Sequence, residues 1–173
     1  MRIQALGEEH LDTFFEWHKD SDFDINMSLV PWVKSIRDIC EMYAKYFDHP
    51  NFCLICTSDA NEVLCAFFAE ANLIHRSAEV HITTSPINKA GLRYAGLTLT
   101  EGLKILFNGY GLEMVFTRAI EGNKAANKAA GHYGFHFSGM LRRCTMVNGV
   151  AHGLAYYDMM RSEFENICNK KER

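Results

Sequence analysis

The chain has 173 residues, 48% hydrophobic and 23% charged, with a formal net charge of −3 and a pI near 6.2. A chain of this length buries roughly two-thirds of its unfolded surface, and no break in composition divides it into two cores. The charge balance offers no basic field for a polyanion and no Lys/Arg run exceeds three residues, which argues against duplex DNA or RNA as a general partner. No apolar run approaches the roughly 18 residues of a membrane span, and MRIQALGEEH lacks a secretory-signal pattern. A cytoplasmic protein with six reduced cysteines is expected.

Residues 2–6 read as a short strand. Over residues 8–19, Leu11, Phe14, Phe15 and His18 share one helical face, and residues 20–31, rich in Asp and Ser, read as an irregular connection. A second helix is predicted for residues 33–47 from the stripe Ile36, Ile39, Cys40, Tyr43 and Phe47, stopped by His49, Pro50 and Asn51. Strands follow at 52–57, 63–74 and 78–84, the first two joined by the turn SDANE, as in an antiparallel meander.

After Pro86 comes GLRYAGLTLTEG, residues 91–102. Thr98 to Glu101 form a capping-box pattern, so the helix carrying Leu99, Leu103, Leu106, Phe107 and Tyr110 is expected to start at Thr98, with a glycine-rich loop before it. A strand at 114–121, an alanine-rich helix at 124–132, strands at 135–146 and 151–160, and a helical turn or tail at 163–169 complete the order. The helical crossover between the strands at 78–84 and 114–121 favours parallel neighbours there. The expected fold is α+β: a mixed, mostly antiparallel central sheet of about six or seven strands flanked by helices. One domain is expected over residues 1–168, with NKKER frayed, and the apolar stretch Tyr156 to Met160 could support a homodimer.

The strand at 78–84 has a period of two, which puts Glu79, His81 and Thr83 on one face. A carboxylate and an imidazole side by side make Glu79 or His81 the candidate general base. Cys53 and Cys56 form a C-x-x-C, but residues three apart in a strand point to opposite faces, and the histidines lack zinc-ligand spacing, so no metal site is expected.

Several short motifs occur in sequence. Arg93, Tyr94, Ala95, Gly96, Leu97 and Thr98 match a Gln/Arg-x-x-Gly-x-Gly/Ala loop at its first and fourth positions, with Thr98 departing at the sixth. Thr100-Glu101-Gly102 follows, then Glu121-Gly122-Asn123-Lys124-Ala125-Ala126, Gly134-Phe135, Gly139-Met140-Leu141-Arg142 and the closing YDMMRSEF of residues 157–164. In this order and spacing they resemble the GCN5-related N-acetyltransferase superfamily, and within it the ribosomal-protein N-terminal acetyltransferases. His152 stands where that branch often has an Asp.

The resemblance implies direct transfer of an acetyl group from acetyl-CoA to a primary amine of a protein N-terminus, a side chain or a small molecule. It implies a pyrophosphate at the start of the central helix, where unsatisfied N–H groups and the helix dipole favour an anion. The residues it assigns there are Arg93, Tyr94, Ala95, Gly96, Leu97 and Thr98, with Lys89 at the edge and Thr84 at the neighbouring strand end. Asn123 would touch the cofactor arm, cap the following helix, or both. The family's usual tyrosine proton donor position holds Ala130, and Tyr133 is the substitute. Trp17 and Trp32 are expected to line the acceptor side by analogy. The same resemblance leaves open a catalytically degenerate fold-mate, a binding or assembly module of the kind some bacteriophages encode, marked by Tyr94 or Phe116 filling the gap between the two parallel strands.

Overall fold

The computed structural model describes residues 1–28 and 33–171. It begins with β1 (Arg2–Ala5), a 3-10 turn (Glu8–His10), α1 (Leu11–His18), α2 (Ser21–Ser28) and α3 (Ile36–Tyr43), which runs on as a 3-10 turn (Ala44–Phe47). There follow β2 (Phe52–Thr57), β3 (Val63–Asn72), β4 (Ser77–Thr84), α4 (Gly91–Lys104) with a π turn at its end (Ile105–Gly109), and β5 (Met114–Ile120). The chain closes with α5 (Lys124–His132), β6 (His136–Val147), β7 (Val150–Met160) and α6 (Arg161–Lys171).

Among the described residues the strands form one seven-stranded sheet in the order β1-β2-β3-β4-β5-β7-β6. All neighbours are antiparallel except β4 and β5, which are parallel across the α4 crossover, as the sequence predicts. The interior strand β3 is buried at every position from Val63 to Ala69, so it reads as an unbroken apolar run rather than an alternating one. Its adjacent phenylalanines serve opposite faces. Phe67 packs with Leu99, Leu103 and Phe107 beneath α4, while Phe68 packs with Phe14, Ile39 and Tyr43 beneath α1 and α3. Full burial of each ring is worth about 2–3 kcal/mol. Trp17 belongs to this second core, fully buried, and Trp32 lies outside the described residues.

Three segments differ from the sequence reading. The Asp-rich connection contains α2, because Asp20 Oδ1 accepts the Phe23 N–H at 2.9 Å and caps it, while Phe23 and Ile25 anchor it to apolar clusters. The C-terminal turn is an 11-residue helix held by Phe164, which stacks on Phe107 at 5.1 Å between centroids. The segment Tyr156 to Met160 lies in β7, paired with β5 throughout and with β6 as far as Asp158.

The largest difference is α4, which begins at Gly91 rather than Thr98. Gly91, Ala95, Thr98 and Gly102 recur three and four residues apart, and all four are buried on the face turned to the sheet. A Cβ at Gly91 would lie 2.0 Å from the Leu64 carbonyl oxygen, and one at Gly102 would lie 2.3 Å from the Phe67 ring. The small residues therefore let the helix seat directly on β3. Thr98 donates its hydroxyl to the Tyr94 carbonyl at 3.1 Å and contacts Cys65 Sγ at 3.3 Å, so it is an interior packing residue and not a cap.

Gly91→Ala should therefore lower stability by about 3 kcal/mol, because backbone rather than a flexible side chain blocks the new methyl. Gly131→Ala, in α5 with open space where the new methyl would sit, should raise stability by about 0.5–1 kcal/mol. Chemical denaturation of the two variants checks both signs.

Candidate functional site

β4 and β5 pair for only three residues, Ser77 with Met114, Ala78 with Val115 and Glu79 with Phe116. Beyond that point they separate, and the β4 backbone from Val80 to Thr84 has no strand partner on the β5 side. The gap opens a cleft of about 420 Å³. Because strand residues alternate, the cleft passes through the sheet and has two unlike walls.

On the α4–α5 side the wall is apolar and low: Val80, Ile82, Leu99 and Ala119, with Ala126, Ala129 and Ala130 from one face of α5 and the rings of Tyr133 and Tyr157. Tyr157 donates its hydroxyl to Asn127 Oδ1 at 2.9 Å. On the α1–α3 side the wall is ionisable, formed by His81, Arg118, Glu70, Lys45, Tyr46 and Tyr43, with Asn26 and Met27 from α2. Asn123 joins the two sides: its Oδ1 accepts the Ala126 N–H at 3.0 Å as the α5 cap, and its Nδ2 donates to Asn26 Oδ1 at 2.7 Å.

Every carboxylate on the ionisable wall has a cation against it. Glu70 Oε1 accepts from Lys45 Nζ at 2.6 Å and from the Tyr46 hydroxyl at 3.1 Å. Behind the wall, Glu79 Oε1 is 2.7 Å from Arg118 Nε in a close ion pair and 3.0 Å from His81 Nε2, neither contact aligned as a hydrogen bond. Burial alone would push the Glu79 carboxyl up, but His81 and Arg118 outweigh it and hold the group below the ordinary carboxylate value. Deeper still, His18 bridges Asp24 Oδ1 at 2.6 Å and the Tyr43 hydroxyl at 3.0 Å. Burial lowers the His18 pKa against the opposing pull of Asp24. The imidazole is then neutral, donating Nδ1–H to Asp24 and accepting the Tyr43 O–H at Nε2. This chain of bonds ties α1, α2 and α3 into one wall.

The residues singled out in the sequence divide accordingly. His81, Tyr133 and Asn123 line the cleft, and Glu79 stands behind His81. Tyr133, the C-cap of α5, also packs its ring on Gly96, where a Cβ would lie 3.1 Å away. Burial, with a smaller effect of Cys65, raises the Tyr133 pKa, so its phenol keeps its proton. Thr84, Lys89, Arg93, Tyr94, Ala95, Gly96, Leu97 and Thr98 do not line the cleft. The amides from Ala95 to Thr98, expected to be free in a loop, lie inside the α4 hydrogen-bond ladder. Neither Tyr94 nor Phe116 fills the gap.

Arg118, Tyr43, Asn26 and the Lys45–Glu70 pair were not singled out. Arg118 carries a local signal, a lone cation in the apolar strand MVFTRAI, on the same face as Phe116 and Ile120. The other residues carry none: Asn26, Tyr43 and Lys45 meet the cleft only through the packing of α2, α3 and its 3-10 extension, and Glu70 only through the place of β3 beside β4.

No family model matches the chain, and no curated protein matches its sequence. Solved structures do match in shape. The spermidine N-acetyltransferase of Vibrio cholerae in complex with CoA and spermine superposes with a TM-score of 0.84 at 20% identity, covering 95% of this chain and 98% of that one. The spermidine/spermine N-acetyltransferase SpeG of Vibrio cholerae in complex with manganese ions gives 0.75 at 20% identity, covering 96% of this chain and 95% of that one. The chain therefore has the GCN5-related acyl-CoA N-acyltransferase fold. This likeness lends no support to the narrower ribosomal-protein branch.

The lowered pKa of His18 fixes the sign of one pH effect. The unfolded chain takes up a proton near the ordinary value of 6.5, whereas folded His18 does so only at lower pH. Stability should thus be level above about pH 6.5 and fall as the pH drops below it. Thermal unfolding between pH 7.5 and 5.5 measures the slope, which should flatten in His18→Gln even though that variant starts less stable.

Proposed function

We propose that this chain transfers an acetyl group from acetyl-CoA to a primary amine. The observation that carries the reading is the cleft through the sheet, which lets a donor and an acceptor approach one point from opposite faces. The α4–α5 wall suits a long, thin arm: alanines leave width, and the unpaired β4 edge offers amide and carbonyl groups to the arm's own amides. The anionic end belongs at the true start of α4, near Lys89 and Arg93, rather than at Gly96 to Thr98.

Bound acetyl-CoA would supply a thioester carbonyl for the amine to attack. His81 takes the proton from the incoming ammonium, directly or through one water, and Glu79 steadies the imidazolium that results. Tyr133, kept protonated by burial, donates to the sulfur as it departs. Asn123 and Asn26 hold the α2 wall against α5, so the two reactants meet in a fixed geometry.

The acceptor half favours an amine with a single charge. The structural neighbours are named for spermidine, a polycation, but Lys45 and Arg118 already occupy the carboxylates that would attract one here. A second reading, a fold-mate that binds without catalysis, draws on the closed ladder at Ala95–Thr98 and on the ring of Tyr133 against Gly96.

Calorimetry with acetyl-CoA separates the readings. Binding that Ala130→Phe abolishes is expected, and no binding at millimolar cofactor leaves only the second. With a reactive amine in hand, His81→Ala should lower kcat about 100-fold or more. Spermidine should be acetylated less well than a singly charged amine, and Lys45→Gln, which uncovers Glu70, should narrow that gap about tenfold in kcat/KM.

A further inference from the structure

His81 and Arg118 stand at matching places on the two strands that part. The last residues to pair are Glu79 of β4 and Phe116 of β5, and the next residue on the same face of each strand lies two positions further on. His81 and Arg118 therefore flank the gap on its ionisable side, and both line the cleft. Glu79 Oε1 is 3.0 Å from His81 Nε2 and 2.7 Å from Arg118 Nε, so these two nitrogens are no farther apart than the sum of those distances, about 6 Å.

Only part of the guanidinium is committed. Arg118 turns Nε to Glu79, and its two terminal nitrogens have no hydrogen-bond partner among the described residues, although the side chain is only 37% exposed. Lys45, the other cation of this wall, is paired with Glu70. A fixed cation so close to the base opposes an incoming ammonium unless the acceptor brings a negative charge of its own. The planar fork of N–H donors matches a carboxylate. One guanidinium, already shared with Glu79, balances one further negative charge and not two, which favours a carboxylate over a phosphate dianion.

We propose that the acceptor is a short zwitterion, a primary amine whose carboxylate docks on the terminal nitrogens of Arg118 while its amine faces His81. This rests on the acetyl-transfer reading and narrows its singly charged amine to one that also carries a carboxylate. The closeness of His81 and Arg118 keeps the two ends of the acceptor a few carbons apart. The test compares acetylation of glycine, β-alanine and γ-aminobutyrate with that of ethanolamine, aminopropanol and aminobutanol, which match them in length and lack the negative charge. The best acid should exceed its alcohol about tenfold or more in kcat/KM, mainly through KM. Arg118→Gln should bring that ratio close to one, and Arg118→Lys, which keeps the charge but not the fork, should retain part of it. The ratio is read within one variant, so a general loss of catalysis or of folded protein cancels. Alcohols acetylated as well as acids, or a ratio that survives Arg118→Gln, overturns the proposal and leaves acetyl transfer standing. If no amine is acetylated, saturation-transfer NMR with the same acids decides. Binding that Arg118→Gln abolishes and Arg118→Lys retains in part keeps the carboxylate site and rejects acetyl transfer; no binding, or binding that Arg118→Gln leaves intact, rejects both.

Discussion

The separation of β4 from β5 after three paired residues is the constraint from which the site follows. Parting two strands in the middle of a sheet strips backbone groups of partners, and the cost is tolerable only where each strand is secured on its far side. That condition is met: β4 is paired with β3 along its whole length, from Ser77 to Thr84, and β5 with β7 from Met114 to Ile120. Each strand keeps one full ladder, and the gap between them becomes a passage with exposed peptide groups. Alternation along the same strands makes one mouth apolar and the other ionisable.

The helix over the gap has to come close enough to close one wall. α4 does so by presenting Gly91, Ala95, Thr98 and Gly102 to β3, with the Leu64 carbonyl and the Phe67 ring in the space that larger side chains would take. Its Leu99 then reaches the cleft, and its Gly96 leaves room for the Tyr133 ring, so that a tyrosine at the end of α5 lines the passage although it is offset from Ala130 in sequence. Glycines that look like a phosphate loop in one dimension are a packing surface in three.

The opposite wall is held by polar bonds inside an aromatic core. The Asp24–His18–Tyr43 chain links three helices, and the Asn26–Asn123 bond carries that wall across to α5. The buried Asp24, His18 and Tyr43 groups are costly when unpaired, and so they fix the relative placement of α1, α2 and α3 more sharply than apolar contact alone, while the Asn26–Asn123 bond lies at the surface. Glu79 acts similarly at the cleft, since one carboxylate orients both His81 and Arg118.

Element type and order were legible in the sequence because they rest on local periodicity: the stripe of α3, the unbroken run of β3, the alanine-rich α5 capped by Asn123 and the parallel crossover all follow from side-chain spacing. Legible too were Glu79 and His81 as a pair on one face, since residues two apart in a strand have no other choice. Two features misled. A capping-box pattern at Thr98 to Glu101 lies inside a helix, because the side chain that would cap faces Cys65 instead, and the Asp-rich segment hides α2, whose cap at Asp20 works only with Phe23 and Ile25 buried. What tertiary structure alone decided is which residues share the cleft. Arg118, Tyr43, Lys45 and Glu70 come from four elements, and their meeting depends on where β4 and β5 part and how the helices pack across that gap, which are properties of long-range contacts and not of any short stretch of chain.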